Sequence, residues 1–123
     1  MRRSPPIRLT ALRSTALVKI CTGVDMYQNQ VYGQQYTVQH VRIEPTETII
    51  KTKANTDQQL KSILFVDARR STPFLDWHAI FQSAHDKGGD VRVIVRGVEY
   101  TMASVDGLRD GSDSLHHWEI GLY

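Results

Sequence analysis

The stretch of sequence that decides the fold is Leu115-His116-His117-Trp118-Glu119-Ile120-Gly121-Leu122-Tyr123. In an extended chain its even-numbered side chains, from His116 to Leu122, fall on one face and its odd-numbered side chains on the other. The even face is largely apolar, and this period of two is typical of a half-buried β-strand. We therefore expect a terminal strand that closes a sheet or a barrel.

The length and composition predict one globular domain. A chain of 123 residues can bury a core of its own, and its hydrophobic fraction of 41% and charged fraction of 23% are ordinary for such a domain. The one cysteine, Cys21, excludes an internal disulfide and is expected to be a small core or interface residue. No apolar stretch approaches the roughly 20 residues that a membrane-spanning helix needs, so no membrane contact is predicted.

Alternating or continuous apolar residues predict five further strands. We expect them at residues 15–25, 36–44, 62–67, 91–96 and 98–102, with a polar turn at 107–114 before the terminal strand. Six strands joined by turns and loops predict a mainly β fold. It would be a small antiparallel β-barrel or sandwich with long loops and room for one short helix.

Two of these strands carry more specific expectations. Val91, Val93 and Val95 should face the core, and the glycine at position 97 should make a tight turn into the next strand. In the strand at 36–44, Val41 is expected on the opposite side from Val38, because their positions differ by an odd number.

The segment from Phe74 to His85 allows two interpretations. Its apolar residues recur at spacings of three and four, at Phe74, Trp77, Ile80, Phe81 and Ala84. This spacing predicts one short amphipathic helix, with Thr72-Pro73 as its start and Gly88-Gly89 as its stop. An irregular hydrophobic loop is the alternative.

A long polar connection is expected at residues 46–60. It is rich in threonine, lysine and amide side chains, and only Ile49-Ile50 is suited to β-pairing. Loops longer than about 12 residues in a compact domain are usually functional or disordered. The connection is therefore either a working part of the protein or a solvated, disordered link.

The N-terminus is basic, because residues 1–24 hold five basic side chains and no acidic one. We expect a basic arm at residues 1–15, followed by a single β-barrel domain at residues 16–123. The arm could be a flexible segment that docks on an acidic partner or on nucleic acid, a mitochondrial-type presequence, or a solvated tail. Pro5-Pro6 counts against the presequence, since it breaks the amphipathic helix that such a signal needs.

No catalytic residues, cofactor site or metal site are predicted. The sequence has no Gly-rich phosphate loop, nucleophile elbow or metal-ligand spacing. His116 and His117 are adjacent on the terminal strand, so their side chains are expected on opposite faces, where they cannot easily share a metal ion.

A nucleic-acid-binding barrel of the OB type is an alternative, because several basic residues could line one barrel surface. These residues are Arg42, Lys51, Lys53, Arg69, Arg70, Arg92 and Arg96. Against it, the aromatic residues lie in apolar contexts that are typical of a core rather than of a stacking platform. They are Phe65, Phe74, Trp77, Phe81 and Trp118.

An ordered series of short motifs resembles the minor capsid proteins of tailed bacteriophages. The series is Val41-Arg42-Ile43-Glu44-Pro45, Leu64-Phe65-Val66-Asp67-Ala68, Ser71-Thr72-Pro73-Phe74, Gly97-Val98-Glu99-Tyr100-Thr101 and Leu115-His116-His117-Trp118-Glu119. The resemblance covers the chain from about residue 16 to its end. It does not cover the first 13 residues or the stretch at 77–89.

The resemblance implies a small β-barrel that acts as a head-completion protein, either a head-closure or a stopper protein of the phage neck. Such a protein is made in the host cytoplasm, forms a twelve-fold or six-fold ring in the virion, and has no enzymatic activity and no cofactor. The implied partners are other copies of itself, portal or adaptor proteins, tail-completion or tail-terminator proteins, and packaged DNA that crosses the lumen without sequence-specific contacts. A tail terminator or another ring protein of the neck is the nearest alternative.

Two segments are candidate contact sites under this interpretation. The polar connection would face the channel and help to close it, with Thr48, Lys51, Lys53 and Asn55 as candidate channel residues. The basic arm would dock on an acidic patch of the portal or adaptor. Its candidate docking residues are Arg2, Arg3, Arg8 and Arg13.

Overall fold

A computed structural model describes residues 4–52 and 54–123. The described residues form ten strands, one α-helix and one short 3-10 turn at Leu9–Ala11. The strands are β1 Ser14–Ile20, β2 Gly23–Val24, β3 Gln30–Val31, β4 Gln34–Pro45, β5 Ile49–Lys51, β6 Asp57–Gln59, β7 Ser62–Asp67, β8 Val91–Val95, β9 Val98–Arg109 and β10 Leu115–Leu122, and the helix is α1 Trp77–Asp86.

Six of these strands close into an antiparallel barrel in the order β1-β4-β7-β10-β9-β8, and β8 pairs again with β1. The predicted mainly β fold is confirmed, and of the two predicted architectures the structure is the barrel. The terminal strand β10 pairs with β7 on one side and β9 on the other, as its alternating pattern indicated. Closure leaves no barrel strand with an unpaired edge, which is the feature that otherwise invites edge-to-edge association.

The barrel interior is filled by one alternating face of each strand. Ala16, Val18 and Ile20 of β1 are buried, and so are the predicted valines of β8 at positions 91, 93 and 95. Trp118 and Ile120 of β10 complete the packing. The β8–β9 hairpin turns at residues 96 and 97, both with positive φ, so that the predicted turn is a two-residue loop of the I′ type.

The prediction for β4 was wrong, because Val38 and Val41 are both buried on the interior side. His40 has a φ of 61°, and the β1–β4 register shifts at this point, so a β-bulge inserts one residue between the two valines. The extra residue shifts the alternation of side chains by one position, so Val41 faces the core on the same side as Val38. Beside the bulge, the N–H and C=O of Gln39 bond to the backbone of Thr72, which lies outside the sheet.

Other element boundaries also differ from the expected ones. The first strand ends at Ile20, because residues 23–24 and 30–31 form a separate small hairpin in a segment that was expected to be a strand followed by a loop. The strand β9 continues to Arg109, which shortens the polar turn to residues 110–114. In the polar connection at 46–60, β5 and β6 pair as a second small hairpin rather than an irregular loop.

The amphipathic helix is confirmed, but it begins later than Thr72-Pro73. Asp76 is its N-cap, and the Asp76 carboxylate accepts a hydrogen bond from the Ala79 N–H at 3.2 Å. Trp77 and Ala84 are buried against the barrel, whereas Phe74 precedes the helix and is 61% exposed. Among residues 4–52 and 54–123, no helix has the length and apolar character to span a bilayer.

Candidate functional site

Besides the segment that contains α1, three segments outside the closed barrel carry exposed side chains. The first is the arm, of which the structure describes residues 4–13; residues 14 and 15, which were also predicted to belong to the arm, are part of β1. The second is the first hairpin, residues 22–32, which contains β2 and β3. The third is the second hairpin, residues 46–60, which contains β5 and β6. A barrel without open edges can associate only through its outer surface and such segments, so each of them is described in turn.

The arm is held on the barrel through its main chain. The Ile7 N–H donates to the Asp67 carboxylate at 2.7 Å, and the Ser4 N–H donates to the Asp110 carboxylate at 3.0 Å. The carbonyl of Ser4 accepts from the Arg69 guanidinium. Because these contacts use backbone groups of the arm, they depend on its path more than on its side chains.

The turn that receives the arm is built from two of the motifs noted above. Asp67 is 1% exposed, and its second carboxylate oxygen accepts from the N–H groups of Arg69 at 2.8 Å and Arg70 at 2.9 Å. The Ser71 hydroxyl accepts from the Asp67 N–H at 2.8 Å and donates to the His40 carbonyl at the bulge. One turn therefore joins the arm, β7 and the bulge of β4.

Asp110 is the second anchor of the arm. Its carboxylate accepts hydrogen bonds from the Ser112 hydroxyl and from the N–H groups of Ser112, Ser4 and Ser114. The Ser112 hydroxyl first, and these N–H groups after it, lower the pKa of Asp110 to about 2. The carboxylate therefore stays ionised as an acceptor for the arm at any pH well above 2.

His116 and His117 do not point apart as expected, because their Nδ1 atoms are 2.8 Å from each other. The β9–β10 register shifts between Leu115 and His117, and this bulge breaks the alternation of the two side chains. His116 Nε2 also lies 2.6 Å from the Pro5 carbonyl, and His117 Nε2 lies 3.0 Å from a Glu119 oxygen.

The described residues contain no group of three or more histidine, cysteine, aspartate or glutamate side chains placed to hold a metal ion. The histidine pair instead joins the arm to β10. Sequence reasoning missed the anchoring role of Asp67, Asp110 and His116, since the arm crosses them only in the folded chain. The signal that was present is the position of Asp67 and His116 inside the motif series.

The first hairpin is fixed to the start of β8 by a polar cluster. The Tyr32 hydroxyl lies 2.8 Å from an Asp90 oxygen and 2.9 Å from the Gln30 side-chain oxygen, and Arg92 Nε donates to Asp90 at 3.1 Å. Burial and then the Asp90 contact raise the pKa of Tyr32 to about 12. Although burial opposes it, hydrogen bonds from Arg92 and Tyr32 keep the pKa of Asp90 below its ordinary value.

The tip of the first hairpin exposes large apolar side chains. Met26 is 81% exposed and Tyr27 is 77% exposed, while Val24 and Val31 beside them are also exposed. The Asp25 carboxylate shapes the tip, because one of its oxygens accepts from the N–H groups of residues 27 and 29 at 2.8 and 2.9 Å. A rigid hairpin that presents methionine and tyrosine has the composition of an interface centre.

The second hairpin contains the candidate channel residues. Thr48 and Asn55 are exposed, and Asn55 takes a φ of 59° in the tip. Lys51 faces Asp57 across the strand pair, with Nζ 2.7 Å from the carboxylate and both side chains 66% exposed. Lys53 lies outside the described residues. The segment also contains Glu47, so its two lysines are balanced by two acidic residues.

Of the four candidate docking residues of the arm, two lie among the described residues and two do not. Arg8 and Arg13 are exposed, and Arg13 Nε donates to the Thr10 carbonyl at 2.7 Å. Arg2 and Arg3 lie outside the described residues. The structure thus places two arginines of the arm at the surface and leaves the arm and the second hairpin as separate sites.

The aromatic residues do not form a stacking platform for single-stranded nucleic acid. Trp77 and Trp118 are buried and Phe81 is half-buried against the core, as predicted. Phe65 is half-buried but lies outside the core, on the outer face of β7, so the prediction was wrong for it. The prediction was also wrong for Phe74, which is exposed. Of the basic residues on the barrel wall, Arg42 pairs with Glu44 and Arg92 pairs with Asp90.

These features define a structural module, a small closed barrel whose exposed features are an arm and two hairpins. A family model described as "Minor capsid protein" matches residues 12–122, and the chain belongs to that family. It is therefore a structural component of a phage virion. The match also runs through residues 77–89, which the resemblance in the sequence did not cover. Comparisons with curated proteins and with solved structures gave no match.

Proposed function

We propose that the protein is a head-completion protein of the phage neck, which forms a ring between the portal or adaptor and the tail and helps to retain packaged DNA. The observation that carries this proposal is a closed barrel with three outlying segments, in a chain of the minor capsid protein family. A barrel without open edges can assemble only through its outer wall and such segments. A stable contact buries about 1,600 Å² in total, and the three segments enlarge the surface that the barrel wall can contribute to it.

The arm supplies the contact to the portal or adaptor in this proposal. Its anchored main chain leaves the Arg8 side chain exposed, available for an acidic patch on a partner. Arg13 is also exposed, but its guanidinium contributes to the local turn through Thr10. Arg8 is therefore the cleaner residue for a charge reversal.

The protein is expected to bind the portal–adaptor complex as a stoichiometric ring, and Arg8→Glu should weaken this binding strongly at low salt. The loss should shrink as salt is raised, since exposed charges are screened. Light scattering of the purified protein with and without the complex measures the ring, and Lys61→Glu, at another exposed basic residue, is the control. A protein that ignores the portal–adaptor complex but binds tail proteins would be a tail terminator, and the proposal would fail.

The second hairpin helps to close the channel in this proposal. Its lysines would meet DNA phosphates without reading bases, but the Lys51–Asp57 pair leaves Lys51 only partly available for them. The size of the hairpin should therefore matter more than its charge. Packaged DNA would be retained because the hairpins of the ring narrow the lumen.

Replacing residues 49–59 by Asn-Gly should let filled heads lose DNA while the ring still forms. The Thr48 carbonyl and the Leu60 N–H are 2.8 Å apart, so a two-residue turn can join the shortened ends without strain on the barrel. The amount of nuclease-protected DNA per head measures retention, and native mass spectrometry measures the ring. The matched control, Lys51→Gln with Asp57→Asn, keeps the hairpin and should leave heads sealed. Heads that stay sealed without the hairpin would rule out this role.

A further inference from the structure

One face of the barrel carries a cleft lined by three arginines. Arg13 at the end of the arm, Arg42 of β4 and Arg96 of the β8–β9 turn line a cavity of about 250 Å³. Arg42 pairs with the Glu44 carboxylate and Arg13 Nε donates to the Thr10 carbonyl, so most guanidinium donors of the three arginines remain available for a ligand. We call this cavity the arginine cleft.

Two largely apolar depressions flank the arginine cleft. One, of about 240 Å³, shares Arg42 with it and is lined by Ile7, Phe65 and Glu44, whose carboxylate pairs with Arg42. The other, of about 270 Å³, shares Arg96 with it and is lined by Val98 and Tyr100. The face therefore has a basic centre between two apolar sites. Such a face fits a protruding segment in which an acidic residue stands between apolar ones.

The tip of the first hairpin has this chemistry. Val24, Met26 and Tyr27 are exposed around Asp25, which is the only aspartate, glutamate, lysine or arginine between Lys19 and Arg42. One oxygen of the Asp25 carboxylate accepts the two N–H groups of the turn, so the other can receive a guanidinium. The polar cluster at Tyr32 and Asp90 fixes the hairpin on the barrel, which lowers the entropy lost on docking.

The hairpin tip and the arginine cleft belong to opposite ends of β1. Ser14 begins the strand and lines the cleft, and Ile20 ends it two residues before the first hairpin. Seven extended residues span about 20 Å, so one copy cannot fill its own cleft with its own hairpin. The two surfaces can meet only between copies, and a contact between two different surfaces repeats from copy to copy.

We propose that the arginine cleft and its two flanking depressions bind the tip of the first hairpin, residues 24–27, of a second copy of this chain. The Asp25 carboxylate pairs with Arg42 and Arg96, and Met26 and Tyr27 fill the apolar depressions. This inference rests on the proposed ring and names the contact that closes it. A rigid DNA duplex would reach the rim of the cleft with its phosphates but would leave the two apolar depressions unfilled.

Two variants test the two sides of the contact without disturbing the fold. Arg96→Asn removes the charge from the cleft and creates Asn-Gly, the pair that a two-residue turn with positive φ prefers, so the hairpin should be as stable or more so. Met26→Ser with Tyr27→Ser removes the apolar tip at two highly exposed positions. Each variant should weaken self-association, measured by sedimentation equilibrium, by about tenfold or more.

An equimolar mixture of the two variants provides the sharpest readout. Each mixed pair retains one intact tip and one intact cleft, so the mixture should form 1:1 dimers that grow no further. The proposal would be overturned if Arg96→Asn self-associated as tightly as the wild type. It would also be overturned if the mixture stayed monomeric. Absence of self-association together with binding of duplex DNA at Arg42 and Arg96 would assign the cleft to phosphates instead.

The portal experiment separates this inference from the proposed function. A protein that loads on the portal–adaptor complex as a ring, equally well with Arg96→Asn, would overturn the hairpin contact and leave the function standing. A protein that fails to load, yet self-associates through the tip and the cleft, would overturn the function and leave the contact standing.

Discussion

Asp67→Ala is expected to lower the free energy of unfolding by about 3 kcal/mol and to release the arm. The Asp67 carboxylate receives three backbone N–H groups, from Ile7, Arg69 and Arg70. Alanine leaves these donors without their ionised acceptor, and each lost bond of this kind costs about 1 kcal/mol or more. Denaturation measures the loss of stability, and hydrogen exchange at the Ile7 N–H measures release of the arm.

Asp67→Asn separates the two effects of that change. Its amide oxygen can still accept the N–H groups of Arg69 and Arg70, but its NH₂ group then faces the N–H of Ile7. We expect a smaller loss of stability than with alanine, together with nearly complete release of the arm. Asp57→Ala is the control at an exposed ion pair, where a loss below about 1 kcal/mol is expected. Protection of Ile7 that survives in Asp67→Asn would contradict the anchoring role.

Gly89→Ala is expected to destabilise the protein by about 3 kcal/mol and to loosen the first hairpin. A methyl group at residue 89 would lie 2.2 Å from the Cys21 Sγ, 2.6 Å from the Gln30 side-chain oxygen and 2.7 Å from the Cys21 Cβ. Cys21 is buried at the end of β1, so the contact cannot be relieved by a simple rotation. The first hairpin must therefore move away from β8. Self-association of the protein through the tip of this hairpin should weaken as a result.

Gly23→Ala provides the matched control for this prediction. No atom lies within 4 Å of the added methyl group, and the backbone there is not in the positive-φ region, so stability should hold or rise slightly. Cys21→Ala combined with Gly89→Ala should lose less stability than the two single changes summed, because it removes the Sγ from the collision. Denaturation of the wild type, the two single variants and the double variant gives the coupling free energy between Cys21 and Gly89. Strict additivity would show that the predicted collision is absent.

Both sites connect the barrel to an outlying segment, which links stability to assembly. The turn at Asp67 holds the arm, and the close packing of Gly89 on Cys21 and Gln30 holds the first hairpin. A loss at either site should therefore impair ring formation before it unfolds the barrel, since the closed strand network is independent of both segments. Assembly assays at temperatures well below the unfolding transition can resolve the two events.

Much of the barrel could be predicted from local patterns. The alternation in β8 and at Trp118–Ile120 of β10, the apolar run of β7 and the turn at residues 96–97 all match the structure, because side-chain period and turn chemistry act over a few residues. The helix was identified by its spacing, but its start was misplaced. The capping aspartate at residue 76, rather than Thr72-Pro73, sets that start.

The errors fall where a distant segment changes the local pattern. Parity failed at Val41 because His40 forms a bulge whose backbone groups are used by Thr72 and Ser71. It failed again at His116 and His117, where a second bulge turns both rings toward the arm. A bulge inserts one residue, and its position depends on partners that alternation within a strand does not record.

The candidate sites, too, were predictable only where they depend on the properties of single residues. The sequence located the polar connection at 46–60 and the exposed arginines of the arm, since charge and polarity are properties of single residues. It did not indicate that Lys51 is paired with Asp57, or that the tip of the first hairpin is the most exposed apolar surface.

The sequence by itself determined the strand-forming segments, the hairpin turn at Gly97, the amphipathic helix and the family. Each of these depends on side-chain order along a short stretch or along an ordered series of motifs. Only the tertiary structure decided that the sheet closes, that Asp67, Asp110 and His116 hold the arm, and that three arginines share one cleft. These features join residues far apart in the chain, and such contacts form only when packing of the common core brings their strands together.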